Sequence, residues 1–177
     1  DLVLAFAGTV TEHTGTVAIT GAHNLAQLKA INEASTGQIT LNDYTVDLSG
    51  SSVDVAAALS GSFADTYSGA VTLTDAPTVA QLVTINGNTT GAITLNVANG
   101  ALSGSAADLV LAFAGTVTQH TGTVALTDAP SVAQLVTINA ATTGAITLGV
   151  TNGALSGSAA NLVLAFAGTV TQHTGTV

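Results

Sequence analysis

One seventeen-residue phrase recurs along this chain, and any fold must accommodate every copy of it. DLVLAFAGTVTEHTGTV begins at Asp1, DLVLAFAGTVTQHTGTV at Asp108 and NLVLAFAGTVTQHTGTV at Asn161, with a diverged copy, DVAAALSGSFADTYSGAV, at Asp54. These starts lie 53, 54 and 53 residues apart. A second phrase keeps the same period: NLAQLKAINEASTGQITL from Asn24, TVAQLVTINGNTTGAITL from Thr78 and SVAQLVTINAATTGAITL from Ser131. The chain therefore reads as one continuous array, 1–177, with units 1–53, 54–107 and 108–160 and a partial unit 161–177. The halves of a unit are distant relatives of each other, which makes one coil about 26 residues long, in the range of solenoid repeats. A coil of that size cannot bury its own apolar face, so its stability must come from its neighbours.

Each coil carries two kinds of periodicity. Val132, Leu135 and Ile138 follow a helical spacing, as do Leu25, Leu28 and Ile31, with Lys29 and Glu33 on the opposite side. Asp128 or Ser131 is expected to cap that helix, with Pro130 in its first turn. SAADLVLAFAG is expected to be a shorter, buried helix, capped by Ser105 and stopped by Gly115 in a left-handed conformation. The Ala-rich copy from Val55 favours helix over strand. The remaining runs alternate, with Val117, Val124, Leu126, Ile146, Leu148 and Leu155 expected inward and Thr outward. The fold expected is an α/β solenoid whose coils each hold a short helix and one or two short parallel strands; the alternative is an all-β parallel solenoid. Strands stack about 4.8 Å apart and helices about 8–10 Å apart, so small Ala faces or a curved stack must reconcile the two.

Composition narrows the function. The chain has one Lys, no Arg and ten acids, for a formal net charge of −9. Nucleic-acid binding needs cations to neutralise phosphates, and anionic membrane surfaces need the same, so neither is a fitting partner. Cations are the natural ionic partners. There is no Cys, hence no disulfide framework or thiolate site, and no Met. Asp1 is then expected not to be the first residue of the gene product. No apolar run approaches the length of a membrane span. The array starts and stops within the same motif, so the expected partners are copies of itself or adjacent repeats of the same chain.

The strings SGSAADL, TVAQLVTINAATTGAITL and GTVALTDAP resemble the tandem repeats of very large secreted bacterial proteins, of the cyanobacterial type. These include surface-layer, adhesin and haemolysin-type calcium-binding polypeptides. The resemblance covers essentially the whole chain and implies an extracellular or cell-surface location. It does not carry calcium sites over to any residue, because the nonapeptide GGxGxDxUx is absent here.

Candidate chemistry is sparse. His13, His120 and His173 share one repeat position, which Tyr67 occupies in the second unit, and they are expected to be solvated turn residues. His23 has no repeat counterpart. Asp75 and Asp128 precede helices as caps, and Asp54 and Asp108 fall in first helical turns, where a negative charge suits the dipole. Asn32, Asn86 and Asn139 are expected to cap helix ends in left-handed geometry, the alternative being a stacked asparagine ladder. Asp43 and Asp47, beside Asn42, form the one acidic loop cluster and are the candidate calcium ligands, although calcium takes six to eight oxygens. No GxSxG elbow appears and no Cys–His pair is possible, so no enzyme is expected. The expected function is a structural repeat segment of a surface layer, sheath, stalk or adhesin. The alternative is a ligand-binding adhesin module for surface glycan, mineral or ice, for which outward Thr rows are the motive.

Overall fold

The structure is a computed structural model that describes residues 2–5 and 12–177. Its helices are α1 (Leu2–Ala5), α2 (Leu25–Glu33), α3 (Ser52–Leu59), α4 (Val79–Asn88), α5 (Ala106–Ala112), α6 (Val132–Ala141) and α7 (Ala159–Ala165). Between them lie three-residue strands: β1 (Val17–Ile19), β2 (Ile39–Leu41), β3 (Leu48–Gly50), β4 (Val71–Leu73), β5 (Ile93–Leu95), β6 (Leu102–Gly104), β7 (Val124–Leu126) and β8 (Ile146–Leu148). The described residues thus form an α/β protein of small parallel sheets, β1-β2, β3-β4-β5 and β6-β7-β8, without a closed barrel. The helices rule out the all-β alternative.

Every strand pairs parallel with the next half-unit. Val71 lies opposite Leu48 and Ile93, and Val124 lies opposite Leu102 and Ile146. Isolated parallel bridges extend this pairing beyond the strand pairs, among them Ile39–Phe63, Tyr67–Thr89, Ile93–Val117 and His120–Thr142. The helices follow the same order, with α2 against α3, α3 against α4, and so on to α7. A parallel partner must lie beyond a crossover, and here each crossover contains one helix.

The core is the inward set of both periodicities. Val124, Leu126, Ile146, Leu148 and Leu155 are buried as the alternation requires, and Val117 packs against them half-buried. Val132, Leu135 and Ile138 form the buried stripe of α6; Val79, Leu82 and Ile85 do the same in α4. Thr40, Thr94 and Thr147 project outward from their strands. Ala58, Ala106, Ala112 and Ala165 are buried on the shorter helices, where a small side chain lets neighbouring backbones approach. α5 is not wholly buried, because Leu111 faces solvent.

Local signals set the helix boundaries. Thr78 and Ser131 each close a reciprocal capping box with a Gln at the third helical position, and Asn24 does so with Gln27. Pro130 stands just ahead of the cap Ser131, not in the first turn. Ser105 caps α5, and Gly115 after it has φ +69°, the left-handed geometry that suits glycine.

Candidate functional site

The informative geometry lies between successive half-units, where polar groups of one finish the backbone bonding of the next. Asp75 and Asp128 are caps, but not of the helices that follow them. Asp75 accepts from the Ser52 N–H at 2.7 Å, at the start of α3, and Asp128 from the Ala106 N–H at 2.8 Å, at the start of α5. The expected capping of α6 by Asp128 is therefore corrected: the carboxylate lies at the start of the preceding helix, where it accepts from the otherwise orphan Ala106 N–H.

Asn32, Asn86 and Asn139 are corrected in the same sense. They lie within helices, and no described non-glycine residue has positive φ. Each reaches forward to the carbonyl end of the next helix. The Asn86 amide donates to the carbonyls of Leu111 at 2.8 Å and Ala114 at 2.5 Å; Asn139 donates to Leu164 and Ala167, both at 2.8 Å. Asn32 donates to the carbonyl of Ala57 at 2.6 Å and to Ser60 Oγ at 3.0 Å.

The histidine position is a third inter-segment contact. His120 is 2 % exposed, which overturns its reading as a solvated turn residue. Its Nε2 lies 2.7 Å from the Gly100 carbonyl and its Nδ1 3.3 Å from Thr142 Oγ1. Nε2 therefore carries the proton, and the Thr142 hydroxyl sits beside the acceptor nitrogen. Tyr67 fills the same role in the preceding unit, donating to the Val46 carbonyl at the position matching Gly100. Below this side chain runs a buried hydroxyl row. Thr142 Oγ1 donates to the His120 carbonyl at 3.1 Å and accepts from Gly144 N–H at 3.0 Å; Thr89 and Ser35 repeat the pattern with Tyr67 and Gly91, and with His13 and Gly37. The signal was present in the sequence as the S/T-x-G spacing, but outward Thr was the stronger expectation. His13 is exposed and His173 half-buried.

His23 replaces the Pro of the later units and is buried. Its Nε2 donates to the Tyr67 hydroxyl at 3.4 Å, the rings meeting edge-on, while Nδ1 has no hydrogen-bond partner. Burial pushes the pKa of His23 and His120 below the ordinary histidine value; Asp43 partly opposes this at His23, and the Gly100 carbonyl does so at His120. Burial, with Asp43 and Asp47 nearby, raises the Tyr67 hydroxyl to about 12. The sign of the pH effect follows. A histidine whose folded pKa is depressed stabilises the fold fully above its unfolded pKa of about 6.5, and that stability is lost as pH falls through the folded value. The melting temperature is expected to fall between pH 7 and 5, before carboxylates titrate, and His120→Gln is expected to flatten that slope. An unchanged slope in the variant, followed by thermal unfolding, would contradict the assignment.

Asp43 of the acidic loop is engaged within the loop and Asp47 by the following segment. Asp43 accepts from the Thr45 hydroxyl at 2.7 Å and its N–H at 2.8 Å, which hold its carboxyl below the usual range. Asp47 accepts from the Ala70 N–H at 2.8 Å. Beside it, an open groove of about 840 Å³ is lined by His23, Lys29, Glu33, Asp47 and Asp54 among others. Lys29 sits 2.6 Å from Asp54 and 3.8 Å from Glu33. The Lys29 contact, then Ser51, lowers the Asp54 carboxyl, and Asp54 in turn raises the Lys29 pKa. Among the described residues no three His, Asp or Glu side chains gather as a metal-binding group. No described helix is long and apolar enough to cross a membrane.

No protein-family model matches the chain, and neither the curated proteins nor the solved structures include one significantly similar to it.

Proposed function

We propose that the chain is a solenoid segment whose role is structural: a piece of an extracellular surface layer, sheath, stalk or adhesin, built to be extended by repetition and not to turn over a substrate. One observation carries this reading. The polar side chains at repeated positions satisfy the backbone of an adjacent half-unit: Asp75 and Asp128 backward, Asn86 and Asn139 forward, and Thr89 and Thr142 across the strand ladder. Side chains committed in this way are spent on bonds between half-units. The acidic surface and the lack of Cys fit an exported chain. An antibody raised against the chain is expected to label intact cells that make it, or the matrix around them. Labelling only after lysis would overturn the surface placement.

Cations bear on the same proposal. Ten acids against one Lys set up a repulsive field along the stack, screened over about 8–10 Å at physiological salt. Ca²⁺ is expected to raise the melting temperature beyond ionic-strength-matched Na⁺, with Asp43 and Asp47 as the proposed point of contact. Equal effects of the two salts would reduce the role of calcium to screening and remove the site.

A further inference from the structure

Asparagine is followed by glycine at three places in this chain, Asn86–Gly87, Asn99–Gly100 and Asn152–Gly153. Such a pair is chemically reactive wherever the backbone can bend. Glycine has no side chain to shield its amide nitrogen, so that nitrogen can reach the side-chain carbonyl carbon of the asparagine before it. The three pairs stand in two surroundings. Asn86 and Gly87 lie inside α4, where helical bonding occupies the Gly87 N–H. The Asn86 amide is tied to the carbonyls of Leu111 at 2.8 Å and Ala114 at 2.5 Å. Asn99 and Asn152 share one repeat position outside the helices and strands, and both are exposed. The first unit has Thr45–Val46 there, which cannot react in this way.

The backbone around Asn99 is also the seat of the following half-unit. The Gly100 carbonyl meets His120 Nε2 at 2.7 Å, and the Ala98 carbonyl accepts from the N–H groups of Thr121 at 2.8 Å and Gly122 at 3.2 Å. A Cβ on Gly122 would come within 2.5 Å of the carbonyls of both Asn99 and Gly100. Gly100 is itself required by packing, since a Cβ there would lie 2.6 Å from that of Ala76. The packing thus demands the same glycine that makes Asn99 reactive.

We propose that Asn99 and Asn152 are sites of spontaneous conversion to aspartate and isoaspartate, and that isoaspartate at position 99 loosens the seat of His120. The Gly100 nitrogen gives up its proton and bonds to Asn99 Cγ, while the side-chain nitrogen takes up a proton and leaves as ammonia. Solvent water then opens the succinimide at one of its two carbonyls. Opening at the side-chain carbonyl restores the ordinary main chain as aspartate. Opening at the main-chain carbonyl gives isoaspartate, whose main chain runs through Cβ and is one methylene longer. Either product adds a negative charge to a chain of net charge −9. Only isoaspartate moves the Gly100 carbonyl away from His120.

The test incubates the full chain in warm neutral buffer. Peptide mapping by mass spectrometry follows the amide-to-acid mass gain, and labelling by an isoaspartate-specific methyltransferase counts the isoaspartate. Asn99 and Asn152 are expected to convert at least about tenfold faster than Asn86, whose hydrogen bonds must break first. In urea the three rates should converge. In the aged chain, amide exchange at Thr121 and Gly122 is expected to quicken by about tenfold, the worth of roughly one hydrogen bond. Asn99→Asp carries the charge without the methylene and should leave that exchange unchanged. Asn99→Gln with Asn152→Gln should stop both effects, because the longer side chain must close a larger ring. Folded-chain rates no faster at Asn99 and Asn152 than at Asn86 overturn the sites. Isoaspartate at position 99 that leaves Thr121 and Gly122 protected overturns the loosening.

Discussion

Gly91→Val is expected to destabilise the protein by about 3 kcal/mol or more, because the space for a side chain is already taken by backbone. A Cβ at Gly91 would collide with the carbonyl of Gly69 and come within 2.9 Å of that of Ser68. Gly37 meets Gly15, and Gly144 meets Gly122, in the same way. Backbone cannot rotate aside as a flexible side chain can, so the strand ladder itself would have to open. Gly87→Ala is the matched control: nothing lies within 4 Å of its Cβ position in α4, and the change is expected to stabilise by about 0.5–1 kcal/mol. Urea unfolding of the two variants checks both signs. A Gly91→Val protein as stable as the parent would mean that the half-units do not approach as described.

Asn86→Leu is expected to lower stability by about 0.5–1.5 kcal/mol, since the carbonyls of Leu111 and Ala114 lose the donor that ties the end of α5 to α4. The loss should appear as faster amide exchange at the end of α5, one half-unit away from the substitution. Asn88, whose amide bonds the Thr84 carbonyl of its own helix at 2.7 Å, is the local comparison. Asn88→Leu is expected to change stability by no more than about 0.5 kcal/mol. Equal effects of the two substitutions, read by the same denaturation, would remove the claim that Asn86 acts across segments.

These residues also mark what the sequence could and could not convey. Helix and strand were legible wherever one period ran long enough: Val132, Leu135 and Ile138 on one stripe, Ile146 and Leu148 on one face. Caps that act within four residues were legible too, as with Ser105 and Gly115. The contacts that join segments were not, because their partners lie 20 to 28 residues away and either direction is compatible with the spacing. Asp128 thus read as the cap of the helix it precedes, and Asn86 as the cap of the helix it belongs to. His120 read as solvated because its neighbours Gln119 and Thr121 are polar; its side chain instead meets the carbonyl of Gly100, 20 residues earlier in the chain. His23 offered no repeat partner, and its contact with Tyr67 arises where two exceptions to the repeat meet.

The central claim, that half-units stack in one direction, is tested most directly by length. Chains carrying one and two additional copies of residues 54–107, inserted in register, would be compared with the parent by small-angle X-ray scattering. Each copy adds two half-units and is expected to lengthen the particle by a constant increment, between about 10 Å if strand spacing sets it and about 20 Å if helix spacing does. The cross-section should stay the same. A radius that grows in all directions, as the roughly N^0.38 dependence of compact globules requires, would contradict it.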